Sequence, residues 1–189
     1  MPDLFIIAKC NGAGKTTAAF NLLPNVFEAV EFVNADEIAR GLSPLNIEGV
    51  AFQASRIMLE RIKQLINEKE SFAFETTLSG LSYFNYIKEA KVAGYNIIFF
   101  FVYLDSIELA KNRVAIRVSK GGHNIPEDVI SRRYLKGLRN FVKYAEIADD
   151  WYLYNNSGTE YELVAKCILG NKEITNFDTY NKVVSYEFR

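Results

Sequence analysis

The sequence predicts an α/β protein built on a parallel sheet of about five strands with helices on both faces. Three observations carry that prediction. Apolar, β-rich runs alternate with helical patterns along most of the chain. The most hydrophobic run, Ile97-Ile98-Phe99-Phe100-Phe101-Val102-Tyr103-Leu104, lacks in–out alternation, as expected of a strand covered on both sides. A glycine-rich turn, Asn11-Gly12-Ala13-Gly14-Lys15-Thr16-Thr17, falls between the first strand and the first helix. With 189 residues the chain is read as a single domain over 1–189, with room for a full core.

Residues 4–8 form the first buried strand, and the glycine turn leads into a helix from 15 to about 23 that Pro24 stops. Glu31-Phe32-Val33 is a short strand running into Asn34-Ala35-Asp36. Ile47, Val50, Ala51, Ala54, Ile57, Met58, Ile62, Leu65 and Ile66 recur at three- and four-residue steps, the pattern of a long amphipathic helix. Phe72-Ala73-Phe74 is the next strand, and a helix over about 81–93 ends at Gly94. The run 96–104 follows as a strand, and 106–120 as a helix. Gly121-Gly122-His123-Asn124 then breaks the chain, and Pro126 restarts it at a favoured first-turn position. Residues 151–154 are the fifth strand. Beyond Tyr161 the pattern is ambiguous, allowing one strand over 163–168 and a short terminal helix.

Composition excludes several classes. Hydrophobic residues are 49% and charged residues 24%, an ordinary globular balance. No apolar run is long enough to span a bilayer, and the first residues lack a basic region and cleavage site. Two cysteines, Cys10 and Cys167, make no disulfide framework, and one histidine, His123, removes most metal-site schemes. A reducing, cytoplasmic location is expected. The net charge is −1, yet residues 111–143 hold nine Lys and Arg against Glu127 and Asp128, so this segment is +7 and the rest −8. A local cationic zone in a near-neutral protein points to a specific anion site rather than to a nucleic-acid surface.

In such a sheet, ligands bind outside the carboxyl ends of the strands, so the residues just after each strand matter most. In the glycine turn, Asn11, Gly12, Ala13 and Gly14 would turn backbone N–H groups around a phosphate at a helix N-terminus. Lys15 would reach the terminal phosphates of ATP, and the Thr16 hydroxyl would ligate Mg²⁺. The alternative is a glycine turn without a ligand. Three carboxylates end strands: Asp36, Glu75 and Asp105. Each could hold Mg²⁺ through water or accept a proton from an attacking hydroxyl. Asp105 also fits a helix N-cap in Asp105-Ser106-Ile107-Glu108, and Asp36 fits one in Asn34-Ala35-Asp36-Glu37. Glu75, Thr76, Thr77, Ser79 and Gly80 form a rim suited to a hydroxylated substrate, although such hydroxyls also satisfy loop backbone.

Arg113 and Arg117 lie four apart and share a helical face. With the glycine break and Arg132-Arg133 they suggest a lid over about 113–133, its arginines neutralising transition-state charge. A solvated basic face is the bland alternative. His123 reads as an exposed loop residue.

These blocks together resemble the zeta toxin family of P-loop kinases, in particular its short, predicted-ATPase-like members. The matching segments are Asn11–Thr17, Asn34–Arg40, Phe72–Gly80, and Arg113–Val118 with Gly121–Pro126, in this order, across roughly residues 3 to 157. The resemblance implies a P-loop NTPase-type fold, ATP and Mg²⁺, and phosphoryl transfer to a sugar hydroxyl of UDP-N-acetylglucosamine, with an antitoxin as protein partner. It implies that Asp36 is the base, that Glu75 and Thr77 touch the substrate, and that Arg113 or Arg117 contacts the ATP phosphates.

One stretch departs from the pattern. A Walker A loop would begin with glycine at position 9, where this chain has Lys9 followed by Cys10. The alternative to a kinase is therefore a nucleotide-binding module with weak or no turnover. A nucleic-acid kinase or binder is a third reading, weakened by a pI of 6.0. The Lys9 side chain is expected to point outward, and exchange of Lys9 for Gly and Cys10 for Pro to tighten ATP binding.

Overall fold

Parallel strand pairing orders the molecule. A computed structural model describes residues 1–14 and 31–188. The helix expected from 15 to about 23 lies outside the described residues, as do Lys15, Thr16 and Thr17. The strands are β1 (Asp3–Lys9), β2 (Glu31–Val33), β3 (Phe72–Thr76), β4 (Asn96–Tyr103), β5 (Asp150–Asn155), β6 (Glu162–Ile168) and β7 (Asn171–Ile174). The described helices are α1 (Ala35–Leu42), α2 (Ala51–Glu68), α3 (Ser82–Val92), α4 (Ile107–Ser119), α5 (Glu127–Ile147) and α6 (Phe177–Val184).

The sheet order is β2-β3-β1-β4-β5-β6-β7. The first five strands pair in parallel, as expected, and β6 and β7 add an antiparallel edge. The strand count is thus seven rather than about five. β6 and β7 are joined through Leu169 and Gly170, both at positive φ (50° and 78°), the geometry of a two-residue hairpin turn. A leucine there carries none of the Asn-Gly signal that marks such turns in sequence.

β4 is buried on both faces. Its Ile97, Phe99 and Phe101 join Leu4, Ile6, Phe72 and Phe74 in the larger core cluster. Phe100 joins Phe5, Ile7 and Ala73 in a smaller one on the opposite face, as strand alternation requires. The helix α2 places Ala54, Met58, Ile62, Leu65 and Ile66 in the larger cluster from one stripe. It ends at Lys69, whose left-handed φ of 57° lets Glu70 N–H reach back to the Leu65 carbonyl at 3.2 Å.

Neither aspartate that could cap a helix does so, which overturns the capping reading of Asp105 and leaves Asp36 free of that role. Asn34, not Asp36, caps α1, accepting from Asp36 N–H at 2.8 Å. Ser106, not Asp105, caps α4, accepting from Leu109 N–H at 3.1 Å. In both cases the capping oxygen belongs to the extended residue just before the helix, and the aspartate lies one or two positions off that geometry.

One face of α5 holds the loop after β3. Asn140 donates to the Leu78 carbonyl at 2.8 Å, and the Tyr144 hydroxyl donates to the Gly80 carbonyl at 3.0 Å. Leu78 is fully buried at a left-handed φ of 56°, its N–H held by the Thr76 hydroxyl at 3.0 Å. Gly137 leaves room for this loop, since a Cβ there would sit 2.8 Å from the Thr77 carbonyl oxygen. Gly137→Ala is therefore expected to lower stability by about 1–3 kcal/mol. The shift in urea midpoint at constant slope measures it.

Candidate active site

Because β1 lies between β3 and β4, the carboxyl ends of β1, β2 and β3 open onto one edge. Two cavities occupy that edge. The smaller, of about 240 Å³, is lined by Lys9, Asn11, Gly12, Gly14, Arg113 and Arg117 on one side. The larger, of about 510 Å³, extends along the 76–80 loop to Tyr83, Arg132 and Arg133. Asn34, Asp36, Ile47, Glu75, Thr77 and His123 border both. The shared wall thus carries two of the carboxylates that end strands.

The described part of the glycine loop is tightly built. Gly12 has φ 84°, and a Cβ on it would lie 2.5 Å from the Ala110 carbonyl oxygen of α4. Gly14 has φ 101°. Ala13 donates to the Cys10 carbonyl at 3.2 Å, and its own carbonyl accepts from the Asn156 amide at 2.8 Å. Arg113 secures the segment that follows β5. It donates to the carbonyls of Asn156 (2.7 Å), Ser157 (3.1 Å) and Gly158 (3.2 Å). The β5–β6 connection and the glycine loop are therefore one braced unit. Cys10 is buried, which pushes its thiol up to about 12, so it is a neutral packing group.

Lys9 turns inward, contrary to expectation. Its ammonium lies 3.0 Å from a Glu75 carboxylate oxygen, and both side chains are largely buried, 11% and 16% exposed. The register explains the contact. Ala8 pairs with Thr76 and Ile7 with Glu75, so consecutive strand ends bring Lys9 and Glu75 together. Burial raises the Glu75 carboxyl above its usual value; Lys9 opposes the rise, and the nearby charges of Asp36 and Glu37 add to it.

Asp36 sits exposed in the first turn of α1, positioned by the Asn34 cap. Thr76 spends its hydroxyl on Leu78, whereas Thr77 shares a hydrogen bond of 2.9 Å with Ser79 at the rim. Arg117 donates to the His123 carbonyl at 2.8 Å, and burial lowers its pKa, with Asp36 opposing and Arg40 adding to the fall. Its Nε and the Asn11 Oδ1 are buried without a partner among the described residues. Asp105 is exposed and lines neither cavity. Two residues were missed as site members. His123 borders both cavities, 3.9 Å from Glu48, and Lys9 carries the ion pair. The first strand runs one residue past the expected 4–8, and that extra residue is Lys9.

The ion pair reverses the expected benefit of a glycine at position 9. Removing one partner leaves a buried, uncompensated charge, at a cost of about 3–5 kcal/mol. Lys9→Met is expected to lose that much stability near neutral pH, and Lys9→Met with Glu75→Gln to recover most of it. The pH dependence has a definite sign. A carboxyl raised on folding contributes its full stability below the unfolded pKa and loses it as pH rises through the folded one. Without Lys9 the rise is larger, so the deficit of Lys9→Met is small in acid and grows toward neutral pH, as urea unfolding at several pH values measures.

The Zeta toxin family model matches residues 1–162. An uncharacterized protein of Haemophilus influenzae is 32% identical over 126 residues, 66% of this chain and 86% of that one. Among solved structures, a chain of the AvrRxo1-ORF1:AvrRxo1-ORF2 complex with sulphate ions has a TM-score of 0.78 at 18% identity, covering 99% of this chain. The same complex with ATP gives 0.74 at 19% identity and 99% coverage. This chain spans only 65% and 64% of those two chains, just under two thirds of their length. A structure of the PezAT chromosomal toxin-antitoxin system of Streptococcus pneumoniae gives 0.61 at 14% identity, covering 85% of this chain and 72% of that one. The structural likenesses show a shared α/β fold, and the family match over most of the sequence shows that this chain belongs to the zeta toxin family.

Proposed function

We propose that this chain is a nucleotide-dependent kinase that transfers the γ-phosphoryl group of ATP to a hydroxyl of a small molecule. The observation that carries the reading is the shared wall, where Asp36, Glu75 and Thr77 border both cavities. The smaller cavity suits phosphates. Positive-φ glycines, Arg113 and Arg117 offer polar and cationic surface there. Thr16 is the residue proposed to hold Mg²⁺, together with the nucleotide phosphates, a cation that usually takes only one or two protein ligands. ATP and Mg²⁺ would supply the phosphoryl group and the neutralisation of its charge.

The chain's own residues would do the rest. Asp36 accepts the proton of the acceptor hydroxyl, because it reaches the wall from an exposed helix turn and carries no partner of its own in the described contacts. Glu75, already paired with Lys9, accepts hydrogen bonds from acceptor hydroxyls, and Thr77 with Ser79 adds donors beside it. Arg117 holds phosphate oxygens from the side of the smaller cavity, with Arg113 keeping the loop in shape while its charge faces that cavity, and Lys15 is proposed as a further phosphate ligand. The larger cavity, at about 510 Å³, lies in the usual range for small-molecule sites (roughly 300–1,000 Å³). Arg132 and Arg133 at its border suit an anionic acceptor, which supports UDP-N-acetylglucosamine as the first candidate. We read the chain as one catalytic unit with its lid over about 113–133, working in the cytoplasm under an antitoxin. No described helix is long and apolar enough to cross a membrane.

A second reading, nucleotide binding with little turnover, draws on Lys9 at the head of the loop and on the carbonyls that already occupy Arg113. Incubation with ATP, Mg²⁺ and UDP-N-acetylglucosamine, followed by mass spectrometry, separates the two. The kinase reading expects a phosphorylated sugar nucleotide. Asp36→Asn is expected to slow turnover by about 10²–10⁴-fold while nucleotide affinity holds, and unchanged turnover would remove Asp36 from the base role.

A further inference from the structure

The smaller cavity has an unusual balance of charge for a site that is to receive a polyphosphate. Its described lining carries three carboxylates, Asp36, Glu37 and Glu75, against four cations, Lys9, Arg40, Arg113 and Arg117. Arg40 is tied to Glu37 through both carboxylate oxygens, at 3.0 and 2.9 Å. Arg113 and Arg117 donate to main-chain carbonyls, which are neutral and leave their charge in the field of the cavity. Glu75 has one described ion-pair partner, Lys9, at 3.0 Å. Lys9 stands at the head of the loop, where a complete Walker A sequence would have a glycine and no side chain at all.

We propose that Lys9 is a positioning residue for nucleotide binding. By pairing with Glu75 it cancels a carboxylate that belongs to the acceptor side but faces the phosphate side. The inference rests on the kinase reading above. It explains how one wall serves two chambers. Glu75 stays available as an acceptor of hydrogen bonds to a hydroxylated molecule, and the phosphates meet a neutral pair rather than a second negative charge beside Asp36. Lys9 acts through Glu75, not by gripping phosphate.

Calorimetric titration of the whole chain with Mg²⁺ and ATPγS tests this without needing the acceptor. At an effective dielectric of about 20, one unit charge about 8 Å from a phosphate changes affinity by about tenfold or more. Lys9→Met is therefore expected to weaken binding by about tenfold or more, and Glu75→Gln to bind at least as tightly as the wild type. The double variant Lys9→Met/Glu75→Gln, which restores the balance of charge, is expected within about threefold of the wild type. A double variant as weak as Lys9→Met would show a direct phosphate contact and overturn the proposal, as would Lys9→Met binding like the wild type. If Lys9→Met does not fold, the double variant against the wild type decides alone. Wild-type protein that binds no ATPγS would sink the kinase reading and this inference with it. Wild-type binding beside a weak double variant sinks the inference only.

Discussion

An ammonium and a carboxylate on neighbouring parallel strands meet at 3.0 Å where the two cavities join, and much of the site's geometry depends on that contact. The pair is largely buried, and buried ion pairs are a poor source of net stability, because desolvation consumes most of the attraction. Its importance lies in what its absence would leave: a buried carboxylate in the field of Asp36 and Glu37. Strand register makes the contact unavoidable, since β1 and β3 run parallel with Ile7 opposite Glu75. A slip of one residue would send Lys9 to the other face of the sheet.

Two braces keep the surroundings of this pair in place, and both use main-chain carbonyls as their anchors. Asn156 and Arg113 bind the end of β5 to the glycine loop and to α4. Asn140 and Tyr144 bind α5 to the loop after β3. Each brace joins segments far apart in sequence, so each cavity wall is rigid only once the whole sheet has formed. Loop conformations such as the left-handed Leu78 persist because several groups determine them at once.

The fold was legible where burial alone decides it. The unbroken apolar run of β4 announced a strand covered on both faces, and the three- and four-residue steps of α2 announced its helix. That Asn11, Gly12, Gly14, Asp36 and Glu75 would share one edge was legible because the carboxyl ends of parallel strands lie together. What escaped depended on geometry that spacing does not encode. Asn34 and Ser106 cap their helices in place of the aspartates because capping needs one particular extended residue. β7 escaped because Leu169-Gly170 is a weak hairpin signal. Lys9 was expected to face solvent, as lysines usually do, and only the partner strand shows why it turns inward. His123 looked like a loop residue and is one, but the fold lays that loop along the shared wall.

The central claim is a division of labour across that wall, with phosphates on one side and the acceptor on the other. A crystal structure of the chain with a non-hydrolysable ATP analogue and Mg²⁺ tests it most directly. The account predicts the terminal phosphate in the smaller cavity, Lys9 still on Glu75, and the larger cavity left open beside Asp36. A nucleotide lying across the larger cavity, or Lys9 swung off Glu75 onto a phosphate, would contradict it.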